Sequence, residues 1–136
     1  NLEGINTLLK QEKEDFTGLC FANLNDFDSK YGHRRDIKGY ANAIKEFDSY
    51  LPEIKNNLNN DDLLIITADH GNDPSYKGTD HTREKVPFFA YSKLMEGNGL
   101  LPEADTFAVI GATVADNFGL NMPEGTIGTS VLEKLL

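Results

Sequence analysis

The stretch Leu63–Tyr91, LLIITADHGNDPSYKGTDHTREKVPFFAY, decides how this chain is read. It opens on LLIIT (Leu63 to Thr67), a short apolar run of the kind found in a sheet covered on both faces. It closes on VPFFAY (Val86 to Tyr91), a second strand with Pro87 near its start, where a missing backbone donor is tolerated. The connection between them, Asp69 to Lys85, is seventeen residues long. Loops of that length inside a compact domain are uncommon and usually functional. This one holds two of the chain's three histidines, His70 and His81, among aspartates and turn formers. Such a stretch is too polar to be core, so its imidazoles call for a chemical reason.

Outward from that stretch, the apolar spacing alternates between helical and extended. Leu2, Ile5, Leu8 and Leu9 predict an amphipathic helix from Leu2 to about Glu12. Phe16 to Leu24 (FTGLCFANL) reads as a buried strand, with Gly18 as a mild objection, and Asn25 to Arg35 as a polar loop. From Asp36, an apt N-cap, a 3.6-residue period runs through Ile37, Tyr40, Ala41, Ile44, Phe47, Leu51, Ile54 and Leu58. Pro52 is expected to kink or split that helix after Leu51. Gly97, Gly99 and Pro102 mark a loop. Phe107 to Phe118 reads as a helix closed by Gly119, and a short helix is expected from about Ser130. This order implies an α/β sandwich with a buried sheet, its first two strands parallel and joined by a right-handed helical crossover.

The length, 136 residues, suits one domain or a piece of one. The chain begins at Asn1 and goes straight into a helical pattern, as expected of a fragment of a longer protein. No apolar run approaches the ~20 residues that span a bilayer. Twenty-two acidic against thirteen basic side chains give a formal charge of −9, which disfavours nucleic acid and anionic membrane as partners. The lone cysteine, Cys20, excludes an intrachain disulfide; it reads as a core thiol and fits a reducing cytoplasm.

Two acidic clusters each follow a strand: Asp26 and Asp28 after Leu24, and Asp69 with His70 after Thr67. Parallel strands would bring both to one carboxyl edge, where open α/β sheets bind ligands. Asp28 and His33 flank Ser-Lys-Tyr-Gly, and Gly32 lets the backbone bend so that both can face one point. Gly71 does the same for Asp69 and His70. Carboxylate and imidazole donors without a thiolate suit Zn or Mn rather than a structural cysteine site. Asp28, His33, Asp69, His70 and His81 exceed what one catalytic zinc takes from protein, so two metals are the natural reading. Two cations about 4 Å apart can activate a nucleophile and neutralise a transferring phosphoryl group. The plainer readings are solvated surface histidines, and turn or cap roles for Asp26, Asp73 and Asp80. Arg34 and Arg35 read as salt-bridge partners of Asp36 and its neighbours, with phosphate binding as the alternative. No G-x-S-x-G elbow supports a serine hydrolase.

The segments DLLIITADHGNDPSYKGTDHTREKVPFFAYS and LNDFDSKYGHRRDIKGYANAIKEFD closely resemble the phosphopentomutase family of the alkaline phosphatase superfamily, over about Phe16 to Leu136. The strand followed by Asp-His-Gly is shared with cofactor-independent phosphoglycerate mutases and other superfamily hydrolases; the full pair of motifs is more specific. The resemblance implies a three-layer α/β/α sandwich with a mostly parallel sheet, residues 1–136 being the C-terminal part of its metal-binding catalytic core. It implies two manganese ions, a phosphothreonine enzyme, and interconversion of ribose or deoxyribose 1-phosphate with the 5-phosphates. By motif, Asp28, His33 and His81 would hold one metal, and Asp69 with His70 the other. The D-x4-H spacing of Asp28 and His33 is one residue longer than in many superfamily members and agrees with the phosphopentomutase pattern. The family's phosphothreonine, a further N-terminal Asp ligand and the cap domain have no counterpart here, since Thr67, Thr79 and Thr82 lie outside the nucleophile context. The chain alone is therefore expected to be inactive. The competing readings are another superfamily phosphatase, phosphodiesterase or phosphoglycerate mutase, and a non-catalytic α/β module that binds Ca²⁺ or a protein partner.

Overall fold

The computed structural model describes residues 1–135; Leu136, the last residue of the expected domain, lies outside the described residues. The chain forms two compact units, one of Asn1–Asn59 with Ile65–Phe89, the other of Asn60–Leu64 with the residues from Ala90 on. No helix among the described residues is long and apolar enough to cross a membrane.

In the first unit, helix α1 spans Leu2–Gln11 and packs on helix α2, Ile37–Asn57. Ile5 and Leu9 of α1, both on the expected apolar stripe, are buried; in α2 the buried side chains are Ile54, which is on its stripe, and Ala43, which is not, while Ile37 and Ile44 are exposed. The Asn57 amide at the far end of α2 donates to Glu12 just beyond α1, at 3.2 Å. Asp36 caps α2, its carboxylate accepting from the Gly39 amide at 2.9 Å. The loop expected over Asn25–Arg35 contains an ordered π-helical turn, Asp26–Gly32, that packs on α2. Phe27 meets Tyr40 edge-on there, with ring centroids 6.0 Å apart.

One expectation fails outright in this unit. Phe16–Leu24 forms no strand: among the described residues no neighbouring segment pairs with it, and an extended segment without a ladder partner gains nothing from its β-prone side chains. Leu19 and Phe21 are 65% and 82% exposed, and Cys20 is exposed rather than a core thiol. The predicted parallel crossover from this strand is accordingly not formed. Of the kink or split expected at Pro52, the split does not occur: α2 continues through it to Asn57. A mid-helix proline costs ~3 kcal/mol; burial of Ile54, 1% exposed and two residues further on, returns about 1.5–3 kcal/mol.

Strands β1 (Leu64–Thr67) and β2 (Phe88–Tyr91) pair in a two-stranded sheet. Both are half-exposed rather than covered on both faces. The Thr67 hydroxyl donates to the Pro87 carbonyl at 2.8 Å, and Gly71 and Thr82 form an antiparallel bridge that folds the long connection back on itself. In the second unit, helix α3 (Ala108–Asn117) ends as its sequence predicts. Gly119 takes a φ of +64°, its amide bonds to Asp116 and that of Leu120 to Ala115, the double closure characteristic of a glycine-terminated helix. The expected C-terminal helix is a single 3₁₀ turn, Leu132–Lys134. Thr113, fully buried in α3, donates to the Val109 carbonyl and accepts from the Val131 amide, tying that tail to the helix.

Candidate metal centre

Three of the five candidate ligands converge. Asp28 on the π-helical turn, His33 just after it, and His81 near the end of the long connection present donor atoms all within 4.8 Å of one another. The Asp28 Oδ1 lies 3.3 Å from Nε2 of both His33 and His81, and the two imidazole nitrogens are 3.1 Å apart. His70 stands beside them. Its ring stacks on that of His81 at 3.7 Å between centroids, and its Nε2 is 3.8 Å from Asp28 Oδ1. Asp69 stands at the rim, its side chain 83% exposed and its Oδ1 3.6 Å from His70 Nε2. Asp26 is turned elsewhere: its backbone amide donates to Asn1 Oδ1 at 2.9 Å, and it is not among the three converging donors.

Local chain geometry produces this meeting. Gly32 is buried where the turn crosses the long connection; a Cβ there would strike the Asn72 side chain and come within 2.8 Å of the Phe27 carbonyl. Gly71 is equally constrained, since a Cβ would lie 2.7 Å from the Thr82 carbonyl across the bridge. Both motifs can therefore approach only because these positions lack a side chain. The two glycines are not needed for the bend expected of them, since their φ values are not left-handed; close approach is what requires them.

The donor set suits a divalent cation by its proton positions. The Nδ1 of His33 faces the Thr79 carbonyl, which accepts only, so the proton sits on Nδ1 and Nε2 carries the lone pair. The Nδ1 of His70 faces the Gly71 carbonyl at 3.1 Å with the same consequence. The lone-pair nitrogens of His33 and His70 thus face a carboxylate oxygen at one point, a donor set that suits a divalent cation. The phenol of Tyr40 senses that field: burial first, then the charges of Asp28, Asp73 and Glu84, raises it above its ordinary value. A groove of about 590 Å³ between α1 and Cys20–Asp26 contains none of the five candidate ligands.

Two residues at the centre escaped the sequence reading. Asn72 is buried and donates from Nδ2 to Asp28 Oδ1 at 2.6 Å. Arg35, expected to pair with acidic neighbours, instead gives its N–H groups to backbone carbonyls and to Asn72. Asn72 follows Asp-His-Gly directly, and a polar residue at that place was the available signal.

Comparison with known proteins bears on the whole chain. A phosphopentomutase of Agathobacter rectalis is 64% identical over 123 residues, which cover 90% of this chain and 31% of that protein. Phosphopentomutases of Clostridium perfringens and Clostridium tetani are 60% and 58% identical over 136 residues, all of this chain and 34% of theirs. The chain thus spans about a third of the length of the curated relatives it matches. Its α/β character accords with the family whose description fits residues 1–122, and on that match the chain belongs to the metalloenzyme superfamily.

Proposed function

We propose that this chain is part of the catalytic core of a phosphopentomutase, an isomerase that moves a phosphoryl group between the 1- and 5-positions of ribose or deoxyribose. The observation that carries the reading is the meeting of Asp28, His33 and His81, set in a chain 56–64% identical to phosphopentomutases of several bacteria. A superfamily named for its metal, together with an oxygen and nitrogen donor set free of thiolate, favours manganese as the ion. Asp28, His33 and His81 hold the first ion. Asp69 and His70, the rim pair beside them, contribute to a second. When bound, the ions supply electrostatic stabilisation of the charge that develops on a transferring phosphoryl group.

The chain's own residues prepare that site. The carbonyls of Thr79 and Gly71 keep protons on the far nitrogens of His33 and His70, so that each presents a lone pair. Asn72 fixes the Asp28 carboxylate by donating to Oδ1. None of Thr67, Thr79 and Thr82 stands in the family's nucleophile context, so the covalent step belongs to a threonine outside these residues and the isolated chain does not turn over. A cytoplasmic enzyme with a pentose phosphate as its partner is the consistent setting.

The test is direct. Full-length protein supplied with Mn²⁺ and ribose 1-phosphate is expected to form ribose 5-phosphate. Hydrolysis to free phosphate without isomerisation, or no turnover at all, rejects the mutase reading.

A further inference from the structure

Arg35 adopts a φ of +55°, the one left-handed residue other than glycine among the described residues. A long side chain is uncommon there, and such a conformation persists only where its surroundings hold it. What holds it is the guanidinium. Nε donates to the Gly78 carbonyl, Nη2 to the Asp80 carbonyl at 2.6 Å, and Nη1 to the Asp73 carbonyl at 2.8 Å and the Asn72 Oδ1 at 2.9 Å, with a longer contact to Gly32 at 3.3 Å. One planar fork therefore grips the long connection at four places between Asn72 and Asp80.

Each of the three converging side chains depends on one of those grips. The Asn72 amide has its oxygen engaged by Arg35, so its nitrogen is the group that faces Asp28, 2.6 Å away. Thr79, whose carbonyl accepts from His33 Nδ1, lies between the two carbonyls that Arg35 holds at Gly78 and Asp80. His81 follows Asp80 directly. We propose that Arg35 is a positioning residue for the metal centre, setting the orientation of Asp28 through Asn72, the tautomer of His33 through Thr79, and the placement of His81 through Asp80. The inference rests on the metal reading above. Lysine cannot replace it, because a single ammonium has three donors at one point and not five spread in a plane.

The experiment compares full-length wild type, Arg35→Gly, Arg35→Lys and Arg34→Ala by Mn²⁺ titration and by amide hydrogen exchange of the metal-free protein. Glycine accepts the left-handed backbone without strain, so Arg35→Gly removes the fork alone. Expected are a roughly 10- to 100-fold loss of Mn²⁺ affinity and faster exchange across Asp73–His81 in Arg35→Gly. Arg35→Lys should restore neither, and Arg34→Ala, altering an exposed neighbour, should change neither. A merely structural role would lower the melting temperature while leaving the affinity of the folded protein intact, and that result overturns the inference. If Arg35→Gly does not fold, wild-type affinity in Arg35→Lys overturns it equally. Wild-type protein that binds no Mn²⁺ removes the metal reading and this inference together, whereas normal wild-type binding with an unaffected Arg35→Gly removes this inference alone.

Discussion

His33 and His81, forty-eight positions apart in the chain, direct their Nε2 atoms at each other across 3.1 Å, with Asp28 Oδ1 3.3 Å from both. Two imidazoles meet this way for a proton or for a metal. If for a metal, His33→Ala and His81→Ala each remove one of three converging donors, and Mn²⁺ affinity should fall by on the order of 100-fold or more, judged against the 10- to 100-fold that loss of a mere supporting contact costs. Titration calorimetry on the full-length protein decides it. Equal affinity in wild type and in the His33→Ala, His81→Ala double variant would leave the histidine pair without a ligand role.

The same donors carry a selectivity. Calcium sites are built of oxygen and rarely recruit imidazole, while Mn²⁺ and Zn²⁺ accept both. Excess Ca²⁺ should therefore leave Mn²⁺ bound, as read by the free Mn²⁺ signal in electron paramagnetic resonance. Displacement by equimolar Ca²⁺ would favour a non-catalytic calcium module instead.

Gly32 gives a prediction that couples packing to the site. A methyl group there would displace Asn72 and press on the Phe27 carbonyl, and backbone does not yield as a flexible side chain does. Gly32→Ala should cost about 1–3 kcal/mol, the usual range for overpacking, and should weaken Mn²⁺ binding because Asn72 then leaves Asp28. Denaturant unfolding and metal titration are both needed. A destabilised variant with unaltered affinity would separate Asn72 from the ligand set.

What the sequence disclosed of this site was its local chemistry. His33, His70 and His81 were legible as candidates because each lies in a polar loop close to an aspartate, and α1, α2 and α3 because their apolar spacing and end signals are local. Asp36 shows the cap read correctly at single-residue level, and Asp36→Ala should cost ~1 kcal/mol. Phe16–Leu24 was misread because strand formation depends on a partner that pattern alone does not supply. The split offered as one outcome at Pro52 does not occur, because the penalty is local and the compensating burial of Ile54 is tertiary. The role of Arg35 was missed for the same kind of reason: three of its acceptors are backbone carbonyls more than thirty-five positions away, and a carbonyl has no letter in the sequence.

Asp73 supplies the pH dependence of the long connection. Its carboxylate accepts from both the amide and the hydroxyl of Ser75, at 2.7 and 2.6 Å, and those bonds, aided by the Arg35 charge, hold its carboxyl below the ordinary value of 3.8. A lowered value in the folded state means that the folded connection binds fewer protons than the unfolded chain. Its contribution is thus complete above the unfolded value and is lost as pH falls through the lowered one. Ser75→Ala deletes the hydroxyl donor and keeps the amide, so the Asp73 carboxyl should titrate closer to its ordinary value, visible in the side-chain ¹³C shift. Acid loss of order in Asp73–His81 should then begin at a higher pH than in wild type. Identical titration curves for the two proteins would mean that the Ser75 hydroxyl does not hold the turn, and the low value would have to be reassigned to the residue-75 amide and, after it, the neighbouring Arg35 charge.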